Sequence, residues 1–274
     1  MSSKELLFHS PRIYAESDLS QMEVYPFATG QAAVFTARSP LKETVNEDAV
    51  ALIPVSAKAG VLVIADGLGG LPAGEVAARL VVTTLEDALN NVAEDGLSLR
   101  EAILDGIERA NADILALGTG CATTVAVVEL HERMMRSYHV GDSLIMLVGQ
   151  RGKLKFQSVS HSPVGYAVEA GLLDEIEAVH HEERNLVSNV LGTSEMRIDI
   201  GPAIELAPRD TLLLASDGLP DNLYMEEIVA RVKAGPLWAA ADTLIRDCRA
   251  RMENPLQGRP SHPDDLSFIL YRPI

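Results

Sequence analysis

Acidic residues stand where apolar runs of strand length begin or end, which places their carboxylates well for chemistry. Asp66 and Asp217 each follow an apolar run directly, and each precedes a glycine. Glu47-Asp48 and Asp264-Asp265 stand directly before two further runs, and Asp142 lies between two more. An unpaired carboxylate at the end of a core strand is costly to remove from water. A turn explains any single Asp-Gly pair, but the five positions together favour a shared role.

The chemistry expected of such acids is metal binding. The ends of neighbouring strands cluster in space, so we expect these carboxylates to converge. Converging carboxylates raise each other's pKa unless a cation neutralises them. Hard divalent ions take oxygen ligands, and Mg²⁺ and Mn²⁺ suit sites made of carboxylates and water. The pattern therefore predicts a divalent metal centre built without histidine.

The elements that must position these acids follow from the spacing of apolar residues. Apolar runs predict strands at 31–37, 48–55, 61–65, 122–130, 134–140, 144–148, 153–159, 211–215 and 266–271, and helical spacing predicts helices at 76–92, 98–117, 225–232 and 237–251. Ser98 and Glu101 have the pattern of a capping box, and Gly118 suits the position after the helix end. Strands come in runs rather than alternating with helices, which favours packed sheets over a parallel doubly wound sheet.

The charge of the chain excludes some partners. Its 274 residues include 23 Lys and Arg against 39 Asp and Glu, a formal net charge of −16. This balance opposes non-specific binding to nucleic acid and to anionic membranes. The longest uncharged stretch, residues 114–128, is too short to span a bilayer, and the N-terminus has no apolar run of signal-peptide length. We expect a cytoplasmic, monomeric protein.

Six ordered motifs resemble the metal-dependent serine/threonine protein phosphatases of type 2C, in a bacterial-type single-domain form. The motifs lie at 46–48, 64–70 with 73–75, 120–124, 140–143, 213–219 and 264–267. The resemblance implies an α+β fold, a four-layer αββα sandwich of two antiparallel sheets flanked by helices. It also implies one phosphatase domain over 29–274, with a flap-like insert at about 160–195. Residues 1–28 are expected to form an irregular N-terminal extension.

The resemblance also implies a set of ligands for two Mn²⁺ or Mg²⁺ ions. Asp66 would bridge the two ions. Asp217 and Asp264 would complete the coordination of one ion, and Glu47 and the carbonyl of Gly67 would hold the other.

Further residues would support this dinuclear centre. Asp48 would orient a bound water, and Asp142 would help to form a weaker third metal site. Members of the family usually carry a phosphate-docking arginine four residues before the first glutamate, but this chain has Glu43 there. Lys42 or Arg38 is therefore the expected phosphate-docking residue.

The predicted activity is hydrolysis of phosphoserine and phosphothreonine in signalling phosphoproteins. A water that bridges two cations is acidified and can attack phosphorus in line, so no protein nucleophile is required. Two alternatives stay open. Because the docking arginine is missing, the chain can be a catalytically weak regulatory or binding module of the same fold. It can also be a phosphohydrolase that acts on small molecules.

Overall fold

Two antiparallel sheets stack face to face in the computed structural model, which describes residues 10–71, 73–90, 92 and 98–274. In spatial order the first sheet contains β1 (Arg12–Ala15), β4 (Asp48–Ser56), β5 (Ala59–Asp66), β6 (Val125–His131), β7 (Met134–Val140) and β10 (Asp199–Ile200), with β11 (Ile204–Glu205) also beside β7. The second sheet contains β2 (Glu23–Phe27), β3 (Gly30–Ala37), β13 (Leu266–Pro273), β12 (Thr211–Ala215), β8 (Leu144–Val148) and β9 (Leu154–Gln157).

Helices cover the outer face of each sheet. The first sheet packs against α1 (Gly74–Asn90) and α2 (Leu99–Leu117). The second packs against α5 (Met225–Val232) and α6 (Leu237–Glu253). Two short helices, α3 (Pro163–Glu169) and α4 (Glu175–Val179), lie in the predicted insert. The predicted four-layer αββα sandwich is confirmed.

The central strands are apolar throughout because both of their faces are covered. Along β5, Leu62 and Ile64 enter the core between the two sheets, whereas Val61 and Val63 pack beneath α1 and α2. Successive side chains of a strand point to opposite faces, so a strand covered on both faces needs a continuous apolar run. Fully burying each such side chain contributes roughly 1.5–3 kcal/mol.

The predicted ends of α2 are confirmed. The Ser98 side chain accepts the backbone N–H of Glu101, and the Glu101 carboxylate accepts the N–H of Ser98. These two bonds satisfy donors that have no partner inside the helix. Gly118 ends the helix in the left-handed conformation, with φ 64°, where a residue without Cβ is least strained.

The prediction of an irregular N-terminal extension over residues 1–28 is wrong for the part that the structure describes. β1 pairs with β4 in the first sheet, and β2 pairs with β3 in the second. These strands are short and only half-buried, so they lack the continuous apolar run that marks the central strands. Residues 1–9 of the predicted extension lie outside the described residues. None of the helices in the described part of the chain combines the length and apolar content that a bilayer span requires.

Candidate metal centre

The predicted site aspartates lie at strand ends on one side of the sandwich. Asp48 begins β4 and Asp66 ends β5, and the two are direct cross-strand partners. Asp217 follows the end of β12 by two residues, and Asp264 precedes β13 by two. Asp142 lies in the turn between β7 and β8. The strand ends therefore bring together acids that are far apart in the sequence.

These aspartates act on one another electrostatically. Desolvation raises the pKa of Asp66 well above its ordinary value, and the charges of Asp217, Asp48, Asp142 and Asp264 raise it further. Desolvation likewise raises the pKa of Asp217, with the charge of Asp264 as the next cause. Solvent reaches the crevice, because Asp66, Asp142 and Asp217 are half-buried and Asp264 is exposed. A divalent cation would relieve this repulsion.

Glycines allow Glu47 to approach the backbone beside Asp66. The N–H of Gly67 donates to the carbonyl of Glu47 at 3.2 Å. A Cβ on Gly67 would lie 2.8 Å from that carbonyl oxygen, and a Cβ on Gly74 would lie 3.0 Å from Glu47 Oε1. The same Cβ on Gly74 would lie 3.1 Å from the carbonyl carbon of Gly67, so a side chain at Gly74 would crowd both the Glu47 carboxylate and the Gly67 carbonyl, the predicted ligands of one ion.

The donor set fits a hard divalent cation. Carboxylate oxygens dominate the crevice, and a backbone carbonyl lies beside them, which is the ligand chemistry of Mg²⁺ and Mn²⁺. Among the described residues, no three acidic, histidine or cysteine side chains are arranged as a ready-made ligand cluster. The acids are therefore neighbours whose side chains would have to close around a cation.

A threonine pair fixes the backbone on both sides of the Asp66 carboxylate. Thr123 Oγ1 donates to the carbonyl of Asp66 at 2.8 Å, and Thr124 Oγ1 accepts the N–H of Asp66 at 3.2 Å. Thr124 Oγ1 also lies 2.7 Å from Ser143 Oγ in the turn that carries Asp142. The threonine motif thus ties two of the predicted ligand segments together.

Asp48 lies behind the crevice rather than in it. Its side chain is 2% exposed and accepts a hydrogen bond from Ser216 Oγ at 2.8 Å. Its backbone N–H donates to Asn46 Oδ1 at 2.9 Å. Burial raises the pKa of Asp48 to about 7, and the charge of Asp265 adds to this effect. The sequence did not reveal Ser216 as a partner, because the two residues lie 168 positions apart.

The two predicted phosphate-docking residues have different surroundings. Lys42 Nζ lies 2.5 Å from Glu47 Oε2 and 2.6 Å from Asp265 Oδ2. Burial lowers the pKa of Lys42, but the hydrogen bonds and charges of the two carboxylates outweigh this effect and raise it. Arg38 forms an exposed ion pair with Asp18 at 3.2 Å. Of the two cations, Lys42 alone contacts a predicted metal ligand.

A family model described as protein phosphatase 2C matches residues 41–250, which is more than half of the chain. The chain belongs to the protein phosphatase 2C family. The resemblance that the sequence motifs indicated is confirmed, as is the prediction of a phosphatase enzyme.

Bacterial phosphatases are among the relatives of this family member. Protein phosphatase PhpP of Streptococcus pneumoniae is 34% identical over 214 residues, which cover 75% of this chain and 86% of the relative. The crystal structure of serine/threonine phosphatase Stp1 from Staphylococcus aureus has a TM-score of 0.75 at 27% identity, covering 90% of this chain and 97% of that one. The crystal structure of the catalytic domain of serine/threonine protein phosphatase PstP in complex with 2 manganese ions has a TM-score of 0.70 at 25% identity. The match covers 92% of this chain and 99% of that one.

A cleft of about 410 Å³ opens from the acidic crevice of this phosphatase 2C chain. Asp142 and Asp217 line its acidic end. Apolar side chains form much of its remaining wall, among them Leu144, Val164, Val168, Ala178, Val179 and Leu223. Because four of these residues belong to α3 and α4, these two short helices form one side of the cleft.

Two residues that the sequence did not single out also line the acidic end of this cleft. Arg184 Nε lies 3.6 Å from Asp221 Oδ2, and Arg184 Nη2 lies 2.6 Å from His262 Nδ1. Burial raises the pKa of Asp221 to about 7 although the charge of Arg184 opposes it. The N–H of Asp221 donates to the carbonyl of Asp217 at 2.9 Å. Asp221 thus extends the acidic crevice, and its spacing four residues after Asp217 was the only signal in the sequence.

Proposed function

We propose that the chain hydrolyses phosphoserine and phosphothreonine in proteins at a dinuclear divalent-metal centre. The observation that carries this proposal is the convergence of mutually repelling aspartates at one end of a phosphatase 2C fold. Relatives are named as serine/threonine phosphatases, and one related structure contains two manganese ions. Bound divalent cations lower the pKa of water and neutralise phosphoryl oxygens.

Each side chain of the crevice then has a separate task. Asp66 would be shared between two Mn²⁺ or Mg²⁺ ions. Asp217 and Asp264 would hold one ion, and Glu47 and the Gly67 carbonyl would hold the other. The Gly67 and Gly74 cradle supports this assignment, because it lets Glu47 lie against the backbone that presents the carbonyl.

The proposed supporting residues lie around these ligands. Asp48 is buried and held by Ser216, a fixed position from which a carboxylate can orient water. Asp142 borders the same crevice and would contribute to a third ion. Burial raises the pKa of Asp142 to about 6, so near neutral pH the group is mostly a carboxylate that can bind a cation.

Phosphate docking would fall to Lys42 or Arg38. An ammonium has three N–H donors, and Lys42 uses two of them on Glu47 and Asp265. Arg38 is bound to Asp18 in an exposed ion pair, and such pairs are weak enough to exchange. The peptide beside the phosphoresidue would enter the cleft. The cytoplasmic location, the monomeric state and the role in signalling also remain proposals.

A metal titration tests this function. Hydrolysis of a phosphothreonine peptide should require added Mn²⁺ or Mg²⁺, stop on addition of chelator and resume when metal is restored. A small phosphorylated metabolite should be a poorer substrate than the peptide. Hydrolysis that persists in chelator after dialysis would contradict the proposed centre.

One observation favours a second candidate, a catalytically weak regulatory module. Lys42 stands near the predicted docking position and is already engaged by two carboxylates. Such a protein would bind Mn²⁺, as seen by calorimetry, without turning over the peptide. The same titration therefore distinguishes the two functions.

A further inference from the structure

Lys42, Glu47 and Asp265 form an ion triad beside the proposed metal centre, in which Asp265 is buried and the other two side chains are partly buried. We propose that Asp265 is a positioning residue that shares the Lys42 ammonium with Glu47, and so keeps part of the Glu47 charge available to a cation. The inference rests on the proposed function, because the role of Glu47 as a ligand belongs to that proposal.

Asp265 is the fixed member of this triad. Its side chain is 4% exposed, and it accepts backbone N–H groups from Ser39 and Glu47, each at 2.8 Å. Lys42 Nζ donates to it at 2.6 Å. All three donors lie in the loop between β3 and β4, so one carboxylate organises the loop that carries Glu47. The N–H of Asp265 donates to Asp264 Oδ1 at 2.7 Å, which links the loop to the next predicted ligand.

Lys42 contacts only one of the two carboxylate oxygens of Glu47. Glu47 Oε2 lies 2.5 Å from Lys42 Nζ. Its Oε1 lies on the side of the Gly67 and Gly74 cradle, 3.0 Å from where a Cβ on Gly74 would stand. The carboxylate therefore presents one oxygen to the lysine and the other towards the predicted ligand segment.

The charge balance of the triad depends on Asp265. One ammonium shared by two carboxylates leaves a net charge of about −1 on the triad, so Glu47 keeps part of its attraction for a cation. If Asp265 were neutral, Lys42 would have Glu47 as its only carboxylate partner in the triad. The ammonium would then compete with a metal for Glu47. Removing Lys42 as well would remove that competition.

The experiment measures Mn²⁺ affinity by calorimetry for the wild-type chain, Asp265→Asn, Lys42→Met and the double variant. We expect Asp265→Asn to weaken Mn²⁺ binding about tenfold, which is within the range of measured couplings between contacting residues. The double variant should return to within about threefold of wild type. Lys42→Met alone should bind Mn²⁺ at least as tightly as wild type, with a lower melting temperature because the buried Asp265 carboxylate loses its cationic partner.

A second ion pair supplies matched controls. Lys155 Nζ lies 2.6 Å from Asp210 Oδ2, and the Asp210 side chain is 3% exposed. Asp210 immediately precedes β12, at the opposite end of that strand from Asp217. Asp210→Asn and Lys155→Met should lower the melting temperature and leave Mn²⁺ affinity unchanged. A general loss of stability is thereby separated from a local effect on the metal.

Two results would overturn the inference. Asp265→Asn could bind Mn²⁺ as tightly as wild type, or the double variant could bind no more tightly than Asp265→Asn. If, in the second case, Lys42→Met also raises the KM for a phosphopeptide, Lys42 is a phosphate contact alone. Failure of the wild-type chain to bind Mn²⁺ would instead refute the proposed function, so the two failures are distinguishable.

Discussion

Asp48 and Asp66 are direct cross-strand partners, and both carboxylates are directed into the space between the two sheets. Residues two apart on a strand face the same side of a sheet, so Asp48 faces the same side as Val50, and Asp66 the same side as Ile64. Val50 and Ile64 both belong to the core between the two sheets. Asp48 is nonetheless sealed from solvent, whereas Asp66 is half-buried in the crevice. The paired register therefore places one carboxylate at the proposed ions and the other directly behind them.

The hydrogen bond from Ser216 to Asp48 is expected to matter for activity. Ser216→Ala removes the hydroxyl that lies 2.8 Å from Asp48 Oδ2 and leaves a buried carboxylate with a lost donor. Residues that orient the surroundings of a metal site typically contribute about 10–100-fold, so Mn²⁺-dependent phosphopeptide hydrolysis should fall by about that factor. The measurement is kcat/KM at saturating Mn²⁺.

Thr211, at the opposite end of β12 from Ser216, has a buried hydroxyl that provides the control. Thr211 Oγ1 donates to the carbonyl of Val232 at 2.9 Å. Thr211→Val should lower the melting temperature while leaving kcat/KM near the wild-type value. Equal losses of activity in Ser216→Ala and Thr211→Val would mean that Ser216 acts through stability alone.

Asp217→Asn should lower hydrolytic activity more than the removal of a supporting residue does. The substitution keeps the size of the side chain and removes the charge that a cation requires. We expect hydrolysis of p-nitrophenyl phosphate at fixed Mn²⁺ to fall by at least about a hundredfold, because Asp217 is a proposed direct ligand rather than a supporting residue. Asp242→Asn, on an exposed aspartate of α6, is the matched control. Near-normal hydrolysis by Asp217→Asn would refute its role as a ligand.

How much of the fold could be predicted depended on how each element is buried. The strand at 144–148 has the bounds that the sequence predicted because all five of its residues are apolar and buried. The helix at 225–232 also has its predicted bounds, and its buried Ile228 and Val232 stand one helical turn apart. α3 and α4 were missed because they are short. A signal for α4 was nevertheless present, since Asp174 and Glu177 form a capping box. Capping residues can therefore reveal helices that are too short to show periodicity.

The candidate site could be predicted in part. Its acids stand at strand ends in the sequence, so their convergence follows from the sheet topology alone. The partners of Lys42 do not follow in the same way, because Asp265 lies 223 positions away and touches it through a side chain. Similarly, nothing in the local sequence indicates that Ser216 bonds to Asp48. Contacts of this kind depend on the packing of two sheets rather than on any pattern within one strand.

Stabilisation by Mn²⁺ should grow as the pH rises. Burial raises the pKa of Asp48 to about 7, of Asp142 to about 6 and of Asp221 to about 7, above about 3.9 for an ordinary aspartate. A raised folded-state pKa stabilises the metal-free protein below the unfolded-state value, and this contribution is lost as the pH rises through 6–7. Metal binding requires deprotonated carboxylates, so protons compete with Mn²⁺ less and less as the pH rises through this range, and the stabilisation by Mn²⁺ grows.

The measurement for this prediction is the difference in melting temperature between Mn²⁺ and chelator. A ligand present at about 100 times its Kd stabilises the folded state by about 2.7 kcal/mol. We expect the difference to be larger at pH 7.5 than at pH 5.5. Groups outside the metal centre affect the melting temperature equally with Mn²⁺ and with chelator, so they cancel in the difference. The buried His139, whose pKa is lowered to about 3 by burial, is one such group. A difference that shrinks with rising pH would contradict the proposed carboxylate site.

Filling the cleft beside the crevice should slow the hydrolysis of peptide substrates but not of small ones. Ala178 of α4 lines the cleft, so Ala178→Phe would fill part of its volume. We expect kcat/KM for a phosphopeptide with large apolar residues beside the phosphothreonine to fall about tenfold, a change of about 1.4 kcal/mol. Hydrolysis of p-nitrophenyl phosphate, which needs only the acidic end, should be unchanged. Ile176→Phe adds the same ring on an exposed position of α4 and should leave both reactions unaltered. Parallel losses on both substrates in Ala178→Phe would show that the ring disturbs the metal centre rather than peptide binding.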